Sequence, residues 1–278
     1  MITTEPNLPT FTTLTCSLSD HVAQITLNRP DKANAMNAAM WREIREAMRW
    51  VDSTAEARVA SICGAGANFC AGIDLAMMMS LGEQIEDPCE ARMRENLRHV
   101  ILDLQDTLTS IERCRKPVLA AIHGACVGGA IDLVSCCDMR YASGDAVFSI
   151  KEVDIGMTAD VGTLQRLPKI ISPAVVRELA YTAKSIDATE AERIGLVNRV
   201  YGSREALQAG VMEIAACIAA KSPLAIRGTK EMLNYARDHS VADGLNYIAS
   251  WNAGLLMSAD LQEATRANLD RRSPEFRN

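Results

Sequence analysis

The spacing of hydrophobic positions changes along this chain, and the changes mark its elements. Residues 12 to 28, TTLTCSLSDHVAQITLN, alternate apolar and polar side chains on either side of Ser19-Asp20, which predicts two short strands joined by a tight turn. After the Pro-containing loop RPDKANA, the residues Met36, Met40, Ile44, Met48 and Val51 recur at helical spacing and predict a helix over 36 to 52. RVASIC, 58 to 63, reads as a strand ending at GAG. Beyond the loop GANFCAG and the Met-rich stretch 75 to 81, a long helix is predicted over about 88 to 114. It stops before Lys116-Pro117, because the residue preceding a proline is disfavoured in helical conformation.

VLAAIH, 118 to 123, is apolar without alternation, as expected of a strand covered on both faces. GACVGG then reads as a tight loop, AIDLVSCC as a short helix, and DMRYAS and AVFSI as two short strands. The order strand, loop, helix recurs around 58 to 79 and around 118 to 137, a loose structural repeat whose residues do not match. From 203 onward strands vanish, and helices are predicted over 203 to 220, 223 to 237, 240 to 256 and 258 to 271. The expected division is a core over 1–202 and a helical cap or association region over 203–278.

Composition narrows the functional classes. A chain of 278 residues can bury a sizeable core, and 48% hydrophobic with 23% charged residues is ordinary for a soluble globular protein. The formal net charge of -6 argues against a broad phosphate-binding surface, so nucleic acid is not an expected partner. No apolar run approaches membrane-spanning length, so no membrane partner is expected, and residues 1 to 20 lack a charged stretch followed by an apolar one. The nine cysteines include no CxxC and sit mostly in apolar company, which favours a reducing compartment; without a terminal SKL address, a cytoplasmic location is expected. Four scattered histidines show no HxxxH or HExxH spacing, so no metal site is expected. Met77, Met78 and Met79 suit a greasy pocket and a core equally.

Three stretches carry candidate chemistry. In HGACVGGAIDLVSCCD, Gly128 and Gly129 stand where a loop becomes a helix, so free amides there suit an oxyanion, although the glycines serve a tight turn equally well. Asp132, flanked by Ile131, Leu133 and Val134, must be paired, protonated or facing a pocket. GAGANFCAGIDL has the same character, with Gly72 preceding Ile73, and the amides of Ile73 and Gly129 together would hold one developing oxyanion. Neither loop matches a dinucleotide or P-loop pattern. KEVDIGMTAD places Glu152, Asp154 and Asp160 within ten residues, where a solvated loop is the bland explanation.

Taken together, RPDKANAMN, FCAGIDL, KPVLAAIHGACVGGAIDLVSCCDMRYAS and KEVDIGMTADVGTLQRLPK, in this order, resemble the crotonase, or enoyl-CoA hydratase/isomerase, superfamily from about residue 12 to the end. The resemblance implies an α/β fold, a spiral of ββα units followed by a helical trimerisation region, with homo-trimers often paired into hexamers. It implies an acyl-CoA thioester as substrate, with its carbonyl oxygen on the amides of Ile73 and Gly129. It implies CoA-binding positions at Lys32, Ala33, Ala35, Ala71, Gly72, Asp74, Leu75, Ala130 and Lys230. No cofactor is implied, since CoA is part of the substrate.

Within the superfamily, the hydratases carry Glu where this chain has Asp132, and Gly where it has Asp160. The set Asp132, Glu152, Asp160, together with RDHSVADGLNYIASWN, is similar to the Δ3,5-Δ2,4-dienoyl-CoA isomerase branch of fatty-acid β-oxidation. Moving a 3,5-diene to 2,4 removes a proton at C2 and adds one at C6, carbons too far apart for one carboxylate to serve easily. The resemblance places Glu152 as the base at C2, Asp160 as the acid at C6 and Asp132 as the group that orients them, with Asp154 structural. The alternatives are an enoyl-CoA hydratase or Δ3-Δ2-enoyl-CoA isomerase using Glu152 with Asp132, and a silent acyl-CoA-binding or RNA-binding relative.

Overall fold

The computed structural model describes residues 8–278; residues 1–7, where the reading of the N-terminus and of the core begins, lie outside the described residues. Strands β1 (Leu14–Ser19) and β2 (Val22–Leu27) form the expected hairpin. Its turn residues Asp20 and His21 both hold positive φ (49° and 65°), the geometry that matches the twist of two-residue hairpins. Helix α1 (Ala38–Ser53) starts where the Asn37 side chain accepts the Met40 amide. Strand β3 (Val59–Gly64) is followed by α2 (Leu75–Ile85) and the 24-residue α3 (Glu90–Arg113). Strand β4 (Val118–Ile122), a short β5 (Ala125–Val127), α4 (Gly129–Ser135), β6 (Met139–Ser143) and β7 (Val147–Ser149) complete the next turn.

A 3-10 turn, Glu152–Ile155, and the short α5 (Thr163–Arg166) lead into α6 (Pro173–Thr182). Next come β8 (Ile186–Asp187), α7 (Ala188–Arg193) and β9 (Arg199–Tyr201). Four helices end the chain: α8 (Arg204–Ala219), α9 (Pro223–Asp238), α10 (Val241–Leu255) and α11 (Ala259–Leu269).

One sheet runs in the order β1-β2-β3-β4-β6-β9, parallel except for β1 against β2; a small second sheet runs β5-β7-β8. Each turn of chain adds a strand to the large sheet and most add one to the small sheet before a helix returns, which is the expected spiral. GACVGG is not merely a loop. Its centre is β5, which pairs with β7 because the glycines on either side let the chain bend out of one sheet and into the other.

The large sheet is buried on both faces, and side-chain alternation shows how. Val118, Ala120 and Ile122 of β4 join Ala60 and Ile62 of β3 in the main core beside α1 and α3, while Leu119 and Ala121 face the opposite way, onto Leu207, Val211 and Ala215 of α8. Full burial of side chains such as Leu119 and Ile122 contributes roughly 1.5–3 kcal/mol each. Two loops leave the carboxyl ends of β3 and β4, the end at which open α/β sheets bind ligands. These are the loops singled out in the sequence. Among the described residues no single helix is long and apolar enough to cross a membrane.

Candidate active site

The site is assembled by stitching loops together. Met36 donates to the Gly72 carbonyl (2.7 Å) and Asp74 to the Met36 carbonyl (3.0 Å), a parallel bridge centred on Ile73. Because N–H directions alternate along extended chain, this bridge aims the Ile73 amide away from Met36. A second bridge joins Cys70 to Cys126, and Gly128 donates to the Ser149 carbonyl at 2.9 Å. Among the described residues neither the Ile73 nor the Gly129 amide finds an acceptor within the chain.

The two amides lie close together because of Gly72. Its φ is +90°, and a Cβ there would stand 2.6 Å from the Val127 carbonyl oxygen and 3.1 Å from the Gly129 nitrogen. A Cβ on Gly129 would in turn come within 3.5 Å of the Ile73 nitrogen, and one on Gly128 within 3.5 Å of Glu152 Oε1. The Glu152 carboxylate therefore sits beside the paired amides. Two hydrogen-bond donors and a carboxylate share one small volume.

Asp132 is fully buried on α4, and its Oδ1 accepts the Thr163 amide at 2.6 Å. Asp132 Oδ2 and Glu152 Oε2 are buried without a hydrogen-bond partner among the described residues. Burial pushes the Asp132 carboxyl up to about 7 against the opposing pull of the Thr163 amide, and the charges of Glu152 and Asp160 add to the rise. Burial likewise raises Glu152, with a contribution from Asp160, and raises Asp160 itself. The three acids lie within electrostatic reach of one another. Asp154 is exposed and paired with Lys151 at 2.9 Å, outside this group.

The raised acids set a sign for stability. The contribution of Asp132 is complete below its ordinary value of 3.8 and is lost as pH rises through about 7, because the unfolded chain gives up that proton more readily. Asp132→Asn keeps the acceptor for Thr163 and removes the charge. Melting curves are expected to show the variant gaining on the native protein between about pH 4 and about pH 7; a gap independent of pH would contradict this.

The RPDKANA loop folds as a 3-10 turn, Pro30–Lys32, after which Ala33 and Asn34 take positive φ. Ala71 donates to the Ala33 carbonyl at 2.9 Å, so Ala33, Ala35 and Ala71 lie together, with Lys32 exposed at the edge. Several expected binding positions are corrected by their packing. Lys230 is 6% exposed and donates to Asp138 Oδ2 (2.7 Å) and the Lys116 carbonyl (3.0 Å), at the opposite end of β4 from the paired amides, so it has no charge to offer a phosphate there. Ala130 is enclosed in the main core. The Asp74 carboxylate is committed to capping α2 and to Arg29 (2.9 Å), whose hydrogen bond lowers it from the usual carboxylate value. Leu75, the first residue of α2, is exposed.

Several positioning groups escaped the sequence reading. The buried Asn34 side chain accepts from the Arg29 amide and donates to the Ala65 and Asn68 carbonyls, each at 2.8 Å, which ties the two loops. The buried Cys70 thiol donates to the Asn34 carbonyl (3.1 Å) and accepts from the Gly72 amide (3.3 Å). A cysteine inside FCAG could have drawn attention to itself; an asparagine in a loop carries no such signal.

The family model for enoyl-CoA hydratase/isomerase matches residues 17–278. The chain belongs to the enoyl-CoA hydratase/isomerase family. Among its relatives, the mitochondrial Δ3,5-Δ2,4-dienoyl-CoA isomerase of Homo sapiens is 48% identical over 255 residues, 91% of this chain and 78% of the human protein. The peroxisomal Δ3,5-Δ2,4-dienoyl-CoA isomerase of Arabidopsis thaliana is 46% identical over 256 residues, 92% of each chain. The crystal structure of an enoyl-CoA hydratase from Bacillus anthracis superposes with a TM-score of 0.87 at 29% identity, covering 96% of this chain and 99% of that one. The fold is thus that of the family, as the motifs implied. The expected cytoplasmic location is corrected, since the similar isomerases are mitochondrial and peroxisomal proteins. Nine free cysteines require only a reducing compartment, and that requirement does not separate the cytosol from an organelle matrix.

Proposed function

We propose that this enoyl-CoA hydratase/isomerase family member is a Δ3,5-Δ2,4-dienoyl-CoA isomerase. The observation that carries the reading is the electrostatic grouping of Asp132, Glu152 and Asp160, with raised proton affinities, and the place of Glu152 beside the free amides of Ile73 and Gly129. The high identity to relatives of that name supports it. The thioester oxygen of 3,5-dienoyl-CoA accepts from both amides, Glu152 takes a proton from C2, and the extended dienolate keeps its charge largely on that oxygen. Each amide contributes roughly 2.7–4 kcal/mol to the barrier reduction. Asp160, whose burial keeps it protonated further toward neutral pH, gives its proton to C6. Asp132, anchored on the Thr163 amide, orients the group, and the charges of Glu152 and Asp160 together with burial favour its protonated form.

The reading predicts that the protein converts a 3,5-dienoyl-CoA into a species with conjugated 2,4-dienoyl absorbance. Asp160→Asn is expected to lower that rate by about 100-fold or more. Absence of product, or preferred turnover of crotonyl-CoA with Asp160→Asn harmless, would contradict it.

The assembly is a trimer or a pair of trimers built through α9–α11. No residue of α10 is buried, and Leu233, Val241 and Met257 are 68%, 80% and 87% exposed, far more apolar surface than a free helical cap would present. Light scattering is expected to give three or six chain masses; a monomer would contradict this assembly.

A further inference from the structure

One face of α3 is bonded to the segment that carries the C6 acid. Gln105, Thr109 and Glu112 follow at intervals of four and three residues, so they share a stripe on the helix. Gln105 Nε2 donates to the Asp160 carbonyl at 2.6 Å. Six residues later in the same segment, Arg166 donates through Nη2 to Thr109 Oγ1 (3.1 Å) and through Nε to Glu112 Oε2 (2.5 Å). Between these two anchors lies Thr163, whose amide holds Asp132. Gly162, at φ +135°, leaves room for the Arg166 guanidinium, since a Cβ there would meet Nη1 at 2.0 Å.

The helix that makes these bonds is itself fixed. Leu104, Thr107, Leu108 and Ile111 of α3 are buried in or beside the main core, whereas residues 160–166 contain only one turn of helix. A seven-residue segment with one such turn has little to hold it in a single conformation. The bonds to α3 supply that restraint. The far side of Glu112 is closed by Arg237 of α9 at 2.7 Å, so the guanidinium of Arg166 has a carboxylate that cannot swing away freely.

We infer that Gln105, Thr109, Glu112 and Arg166 form a clamp that sets the reach of Asp160 along the acyl chain, with Gln105 as the positioning residue specific to the C6 proton transfer. The inference rests on the isomerase reading and deepens it. Glu152 lies on a separate 3-10 turn that follows β7, with its carboxylate beside Gly128, and among the described residues it takes no bond from α3. Loosening the clamp therefore disturbs proton delivery at C6 and leaves removal at C2 intact. A misplacement on the order of 1 Å is enough to lower a rate by about 100-fold.

The test uses the full-length protein with 3,5-dienoyl-CoA in deuterated water, following two rates. One is formation of the 2,4-diene; the other is exchange of the C2 hydrogens in recovered substrate. Asp160→Asn supplies the reference pattern. In Gln105→Ala and Gln105→Glu, kcat is expected to fall about 10- to 100-fold with KM within about twofold of the native value, while C2 exchange per turnover rises. Should Gln105→Ala melt below the assay temperature, Gln105→Glu, which keeps the shape and loses the donor, carries the comparison. Turnover at the native rate, or turnover and exchange falling in equal proportion, would overturn the clamp. Failure of the native protein to form any 2,4-diene would instead remove the isomerase reading, and the clamp with it.

Discussion

Glu152→Gln is expected to lower kcat on 3,5-dienoyl-CoA by about 100- to 10,000-fold, the range of a lost general base, without lowering the melting temperature. The two halves of this expectation have the same origin. Glu152 Oε2 is buried with no hydrogen-bond partner among the described residues, and burial raises the carboxyl's proton affinity, so the folded chain bears a cost for keeping a charge there. A neutral amide of the same shape relieves that cost while losing the ability to take a proton. A residue serving only to hold the fold would behave in the opposite way, with stability falling and the rate following it. Thermal melts and steady-state kinetics on one preparation separate the two, and a near-native rate would remove Glu152 from the proton transfer.

Gly72→Ala is the second change with a large expected effect, and it acts on the oxyanion instead of the proton. At φ +90° an alanine is strained by on the order of 1–3 kcal/mol. Its Cβ also cannot coexist with the Val127 carbonyl at 2.6 Å, and the neighbouring atoms are backbone with no rotamer to change. Relief requires the loops after β3 and β4 to part, carrying the Ile73 and Gly129 amides away from a common point. Misalignment of one donor costs about 100- to 1,000-fold in kcat. Gly82→Ala, on α2 with no atom within 4 Å of the added Cβ, is the matched control and is expected to leave kcat unchanged. Similar rates for the two variants would contradict the arrangement of amides described above.

What the sequence disclosed of this molecule, and what it concealed, divides along physical lines. Periodicity revealed the hairpin, α1, α3, β4 and the run of terminal helices, because each of these buries a face whose spacing is written in adjacent residues. The three-residue β5 was missed: Ala125–Val127 is too short for periodicity, and its pairing partner β7 lies 22 residues on. Asp132, Glu152 and Asp160 were legible as acids that apolar neighbours or motif spacing made conspicuous. Their convergence was legible only through the family resemblance and not from the residues themselves, since in the structure it depends on the Thr163 amide and on the turn Glu152–Ile155.

Lys230 shows the converse. A lysine met alone in sequence invites an anion, yet its partner Asp138 lies 92 residues away and becomes visible only when α9 folds over the start of β6. Gln105 was silent for the same reason. Nothing near it in the chain indicates that its amide will meet the carbonyl of Asp160, 55 residues downstream.

In the proposed reaction Glu152 and Asp160 are staggered along one acyl chain whose thioester oxygen rests on two main-chain donors. Its most direct measurement is a crystal structure with the product, a 2,4-dienoyl-CoA, bound. The thioester oxygen is expected within hydrogen-bonding distance of the Ile73 and Gly129 nitrogens, with Glu152 against C2 and Asp160 against C6. An acyl tail that leaves Asp160 facing solvent, or a thioester oxygen bound elsewhere, would contradict it.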